Sequence, residues 1–252
     1  MPVAPCALPA PPVPITHPSP NHGARRKGAR PDLVVIHHTA MADAPAALAR
    51  LCDCDAQVSC HYLIAGDGTL WQLVDEGQRA WHAGAGRWGA VGDVNSRSIG
   101  IELANTAAHP YPEPQMRVLE RLLADIITRH AIPPARVIAH SDMAPARKSD
   151  PGPRFDWRRL ARQGLSVWPQ VPGRGGGGAA PDPAAFLSAA ARFGYPDEAG
   201  GAAVLTAFRL RFRPWAQGAL GAADVDAVTD LAARFPADPG AAAPDGRTGS
   251  GP

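Results

Sequence analysis

Residues His140 to Gly152 set a histidine, a lysine and an aspartate on one short loop directly after the strand-like Val137-Ile138-Ala139. A catalytic zinc needs three nitrogen or oxygen ligands and one open position for water, and His140 and Asp150 could supply two of the three. The best candidate for the third is His37. It ends the apolar run Leu33-Val34-Val35-Ile36, a buried-strand pattern that holds an imidazole rigidly at the edge of a sheet. Such a site also wants a base, and Glu102 offers one: it is a carboxylate inside the otherwise apolar Ser98 to Leu103, where burial demands either a partner or a function. Lys148, in the same loop as Asp150, would present an ammonium to the oxyanion of a tetrahedral intermediate.

These side chains need a scaffold, and the apolar periodicity supplies one. Strand signals fall at Leu33 to His37, His61 to Ala65, Leu70 to Val74, Ser98 to Leu103 and Val137 to His140. Gly66-Asp67-Gly68-Thr69 reads as a hairpin turn between the second and third of them. Helical patterns interleave at Ala42 to Cys52, Pro114 to His130 and Asp156 to Gly164. Hairpin and helices together predict an α/β fold, a mixed central sheet flanked by helices.

The glycine-rich stretch within 169–182 reads as a flexible linker. Beyond it, Pro183 to Phe193, Gly201 to Arg213 and Ala223 to Phe235 each carry an apolar stripe. Val204, Leu205, Phe208, Leu210 and Phe212 form the middle one, and a small C-terminal three-helix bundle is the simple solution. The domain reading is therefore an irregular proline-rich leader (1–31), a catalytic domain (32–168), the linker (169–182), a helical domain (183–235) and a disordered tail (236–252).

Composition excludes several classes. A formal charge of +2 over 252 residues does not make a nucleic-acid binder. The basic cluster Arg25, Arg26, Lys27 and Arg30 reads as a solvated flank. No window reaches the length of a transmembrane segment. Cys52-x-Cys54 lacks the second pair of a structural zinc site, and Cys52, Cys54 and Cys60 read as small buried hydrophobes.

Four segments, Val35 to Thr39, Trp81 to Gly84, Ser98 to Glu102 and the His140 to Gly152 loop, occur in an order and spacing that resembles the zinc-dependent N-acetylmuramoyl-L-alanine amidases of the type 2 amidase, or peptidoglycan-recognition, superfamily. The resemblance covers residues 32–168. It implies one Zn2+ per chain on His37, His140 and Asp150, with Glu102 as general base and Lys148 as oxyanion stabiliser. His37 is preferred to His38 because the family's ligand directly follows the Val-Ile pair, and because His38 points to the opposite face of its strand. The segment after Arg79 lines the substrate cleft in relatives, so Arg79, His82 and Ala83 are the substrate-binding candidates, Arg79 as a clamp for a stem-peptide carboxylate. His61 and Asn95 are read as scaffold.

The spacing of Ala207-Phe208-Arg209, Phe212-Arg213-Pro214, Gly221 and Asp226 looks like a peptidoglycan-binding module; a helical bundle with no ligand is the alternative. The expected reaction is hydrolysis of the amide joining N-acetylmuramic acid to L-alanine in anhydro and intact muramyl peptides, by a monomer. The alternative of a different class is a non-catalytic peptidoglycan-recognition protein, which need not keep a carboxylate at Asp150. Location stays open. The prolines of the first twenty residues break any secretory signal and favour the cytoplasm, Cys6 stands near where a lipidated cysteine would fall, and the tethered module favours the cell envelope.

Overall fold

The computed structural model describes residues 9–41, 43–170 and 180–238. Cys6, the expected linker over 171–179 and the expected tail over 239–252 lie outside the described residues.

In chain order the elements are β1 (Ile15–Thr16), β2 (His22–Ala24), β3 (Leu33–His38), α1 (Ala44–Cys52), β4 (Tyr62–Ile64), β5 (Leu70–Gln72), β6 (Gln78–Ala80), α2 (Val94–Arg97), β7 (Ser98–Leu103), α3 (Glu113–Arg129), β8 (Val137–Ala139), α4 (His140–Met143), α5 (Trp157–Arg162), α6 (Pro183–Phe193), α7 (Gly201–Phe212) and α8 (Ala222–Arg234). Six strands form one sheet in the order β1-β5-β4-β7-β3-β8, and β2 pairs separately with β6. β3 runs parallel to both β7 and β8, whereas β4 and β5 form the antiparallel hairpin that the Gly66 to Thr69 turn announces. The fold is thus the mixed α/β sheet with flanking helices.

Alternation along the strands decides what each face buries. Val34, Ile36, Ile99, Ile101 and Leu103 pack against α3 and α5, through Leu119, Leu122, Leu123, Ile126 and Leu160. Leu33, Val35 and Ile138 face the other way and share one core with Phe186, Phe193, Phe208, Phe212, Val228 and Leu231 of the C-terminal helices. The three helices stand where their stripes place them, but those stripes do not close on each other alone. They cover the β3–β8 part of the second face, in place of a module hung at a distance, while Leu63 farther along that face packs with Ala47 and Leu51 of α1. In α7 the buried positions are Val204, Ala207, Phe208, Arg211 and Phe212; Leu210, expected in the stripe, is half-buried and Arg211 takes the core position. Asp226 is exposed, and the carboxylate bound by Arg209 and Arg213 is Asp224.

From residue 9 onward the leader is more ordered than its prolines imply. β1 and β2 lie in it, Ser19 and Asn21 are buried, and so is Arg25. Arg25 donates to the carbonyls of Glu76 (3.0 Å), Ser96 (2.8 Å) and Ser98 (3.1 Å), so it is a brace between segments; only Arg26, Lys27 and Arg30 of that cluster are exposed. Among the cysteines Cys60 is buried, Cys52 half-buried and Cys54 exposed, because Cys54 sits in a surface turn capped by Asp53. Among the described residues no helix is long and apolar enough to cross a membrane.

Candidate metal centre and active site

The parallel strands β3, β7 and β8 end on the same edge of the sheet, where open α/β sheets bind ligands. His37 pairs in register with Glu102, so the two side chains share a face. His140 follows β8 as the first residue of α4, one position beyond the strand expected to contain it. The loop from α4 returns to the same point, and Ser141 N–H donates to the carbonyl of Asp150 at 3.0 Å. Three atoms converge there. His37 Nδ1 and His140 Nδ1 are 2.9 Å apart, and Asp150 Oδ2 is 3.0 Å from each.

The proton positions follow from two backbone carbonyls, which can only accept. His140 Nε2 lies 2.9 Å from the carbonyl of Ala83 and must donate to it. The Ser98 hydroxyl donates to the carbonyl of Val94 at 2.6 Å, so its oxygen accepts from His82 Nε2 at 3.1 Å. His82 Nδ1 is then a lone pair and accepts from His37 Nε2 at 3.0 Å. Burial holds His82 well below the ordinary histidine range. Burial, with the neighbouring His140, lowers His37 to about 4. In this tautomer the protons sit on the two Nε2 atoms, and both Nδ1 atoms face Asp150 Oδ2 at one spot.

That triangle fits a metal ion. Tetrahedral zinc with bonds of about 2.0–2.1 Å sets its ligand atoms roughly 3.3 Å apart, close to the spacing found. Second partners that fix the ligand tautomer are what such sites require, and Ala83, His82 and Ser98 provide them.

Glu102 forms part of the cleft wall. Burial, then the charge of Asp150, raise it to about 8, and Lys148 opposes. Its Oε2 has no partner among the described residues. Lys148 is exposed at the mouth of the same cleft, whose volume is about 400 Å³. His38 also lines the cleft but stays outside the triangle, its Nδ1 without a partner among the described residues.

The expected substrate contacts divide. His82 lines the cleft, yet both its ring nitrogens are committed to His37 and Ser98. Ala83 is fully buried and offers the site only its carbonyl. Arg79 is turned away: its strand β6 pairs with β2, and its guanidinium meets Asp93 at 3.3 Å. The cations that line the cleft are Arg50, Arg147 and Lys148. Asn95 Oδ1 accepts the N–H groups of His82 (3.0 Å) and Ala83 (2.9 Å) and so fixes that segment. His61 Nδ1 accepts from Gly100 N–H at 3.0 Å. Ser98 is the residue that sequence reading missed. Its one signal is Gly100 two positions on, where a Cβ would lie 2.4 Å from His82 Cγ; the sheet leaves that space for the ring.

A model of the N-acetylmuramoyl-L-alanine amidase family matches residues 27–153. N-acetylmuramoyl-L-alanine amidase AmiD of Escherichia coli K12 is 38% identical over 225 residues, covering 79% of this chain and 80% of that protein. Its structure in complex with the substrate anhydro-N-acetylmuramic acid-L-Ala-D-gamma-Glu-L-Lys superposes with a TM-score of 0.75 at 35% identity, over 84% of this chain and 92% of that one. AmpDh3 of Pseudomonas aeruginosa, solved with anhydromuramic pentapeptide, gives a TM-score of 0.72 at 30% identity, covering 84% of this chain and 95% of that one. The 1,6-anhydro-N-acetylmuramyl-L-alanine amidase AmpD of Enterobacter cloacae is 35% identical over 160 residues, covering 57% of this chain and 86% of that protein. Sequence, fold and the three converging donors agree, and the chain belongs to the N-acetylmuramoyl-L-alanine amidase family.

Proposed function

We propose that this chain hydrolyses the amide between N-acetylmuramic acid and the L-alanine of the stem peptide, in anhydro and intact muramyl peptides, with one zinc ion held by His37, His140 and Asp150. The observation that carries this reading is the meeting of His37 Nδ1, His140 Nδ1 and Asp150 Oδ2 within 3.0 Å of one another, with both rings braced from behind by His82 and by the carbonyl of Ala83. Bound there, zinc supplies Lewis acidity and lowers the pKa of a coordinated water.

The chain's own groups do the rest. Glu102 is poised near neutrality by burial and by Asp150, so it can take a proton from the attacking water and return it to the leaving amine. Lys148 at the mouth supplies a positive charge to the oxygen of the scissile carbonyl as it becomes an oxyanion. With Arg79 committed to Asp93, Arg50 is the residue we assign to a stem-peptide carboxylate, through its planar fork.

Metal analysis of the purified chain should find one zinc, with activity lost to a chelator and restored by zinc. Glu102→Ala should keep the metal and lower turnover by about 10²-fold or more, whereas Asp150→Ala should lose the metal. Zinc loss in both variants alike would make Glu102 a ligand and sink the assignment of roles.

A further inference from the structure

The helical period of α7 asks for apolar side chains at its buried positions, yet one of them is Arg211. A cation in a protein core is costly unless paired and hydrogen-bonded. Arg211 is both. Its Nη1 donates to Asp142 Oδ2 at 2.5 Å, with both side chains fully buried. Its Nη2 donates to the carbonyl of Val137 (2.9 Å) and to Ser166 Oγ (3.2 Å). The guanidinium stacks 4.4 Å from the Trp157 ring and 4.8 Å from that of Phe212. Tyr195, in the turn after α6, donates its hydroxyl to Asp142 Oδ1 at 2.7 Å.

Asp142 is therefore held at both oxygens by the C-terminal segment. It is also a residue of α4, the turn that begins with His140. Its Oδ2 reaches back to accept the N–H of Ala139 at 2.8 Å, satisfying a donor that the start of a helical turn leaves without a partner. Through Val137 O the same guanidinium also grips β8, the strand that delivers His140. An apolar side chain at position 211 would fill the volume but hold neither.

We propose that Arg211 and Tyr195 are positioning residues for the metal centre: the C-terminal helices fix the His140 turn through Asp142, beyond covering the sheet. This rests on the reading of His140 as a metal ligand. The test uses the full chain, with Arg211→Met compared against Val228→Ala, a change on α8 in the same core. Three quantities are measured at a temperature where each variant is folded: amide hydrogen exchange at Ala139, zinc affinity by chelator competition, and kcat and KM separately.

Arg211→Met should expose Ala139 N–H to exchange and weaken zinc by about tenfold or more, the range seen when groups behind a metal ligand are removed. Val228→Ala should leave both within about twofold of wild type, since packing loss on α8 leaves the ligand turn's partners in place. Asp142→Asn added to Arg211→Met should recover zinc affinity, because the amide oxygen still accepts from Ala139 and no unpaired charge is left buried. If Arg211→Met fails to fold, Tyr195→Phe provides the same readouts with one hydrogen bond removed. Unchanged Ala139 protection and zinc affinity in Arg211→Met, or equal losses in Val228→Ala, would overturn the proposal. A wild-type chain that binds no zinc would instead remove the metal reading on which it rests.

Discussion

His82 acts on the candidate metal centre without contributing an atom to it. Its Nδ1 accepts from His37 and its Nε2 donates to Ser98, so its role is to keep the proton of His37 on the far side of the ring. His82→Phe keeps the ring volume and removes the acceptor. Metal affinity should fall by about 10- to 100-fold, read by chelator competition, and an unchanged affinity would return His82 to a packing role. Glu102 gives a second residue-scale test, in metal-stripped protein. Its carboxyl is raised by burial from the ordinary 4.5 to about 8, so between those values the folded chain holds a proton that the unfolded chain has lost. Stability from this group is full below pH 4.5 and drains away as pH rises towards 8. Buried His37 and His61, both lowered from 6.5 to about 4, push the other way between those two values, which makes the difference between wild type and Glu102→Gln the quantity to measure. The urea midpoint of the wild type should fall relative to the variant across pH 4.5 to 8, and parallel profiles would show that Glu102 is not proton-holding in the fold. The triangle itself was readable in sequence because His37, His140 and Asp150 each sit where a strand or its following loop must end. The role of Ser98 was not, since a serine at the start of a strand carries no mark of what its hydroxyl meets.

Glycine at position 100 shows how an element is shaped for its site. On β7 it shares a face with Glu102, and an added Cβ would stand 2.4 Å from His82 Cγ, a distance that forces the ring to move. Gly100→Ala should destabilise by roughly 1–3 kcal/mol, the usual cost of overpacking, and should weaken metal binding by displacing His82; thermal melts and chelator competition read the two effects. Retained affinity at lowered stability would show that the ring relaxes without disturbing His37. Elements with a strong apolar period, β3, β7 and α3 among them, were legible to within a residue or two because burial on one or both faces dictates the residue types. β1, β2 and β6 were not: Ile15–Thr16, His22–Ala24 and Gln78–Ala80 are too short to show an apolar period, held by backbone pairing that leaves no pattern in side chains. Arg25 was misread for a related reason. Its partners are carbonyls of Glu76, Ser96 and Ser98, and a carbonyl can belong to any residue.

At the scale of the whole molecule, both faces of one sheet are covered, by α3 and α5 on one side and by α6, α7 and α8, with α1 over β4, on the other. The apolar stripes of the C-terminal helices were legible, but a stripe does not say what it packs on, and the glycine-rich segment before them favoured the picture of a tethered module. A chain ended after residue 170 decides between the two pictures. It would uncover Leu33, Val35, Trp88 and Ile138, all but fully buried in the whole chain, and would leave Asp142 without Arg211 and Tyr195. Each large apolar side chain returned to water costs about 1.5–3 kcal/mol, so a handful of them equals the roughly 5–15 kcal/mol that a domain of this kind has in total. Loss of the buried partners of Asp142 adds to that deficit. The truncated chain should therefore lack a cooperative thermal transition, bind a hydrophobic dye and hold no stoichiometric zinc, as followed by near-ultraviolet circular dichroism, dye fluorescence and metal analysis. A soluble 1–170 chain that melts cooperatively and keeps one zinc would mean that the sheet's second face tolerates solvent, and that the helices are an appendage to a self-sufficient catalytic domain.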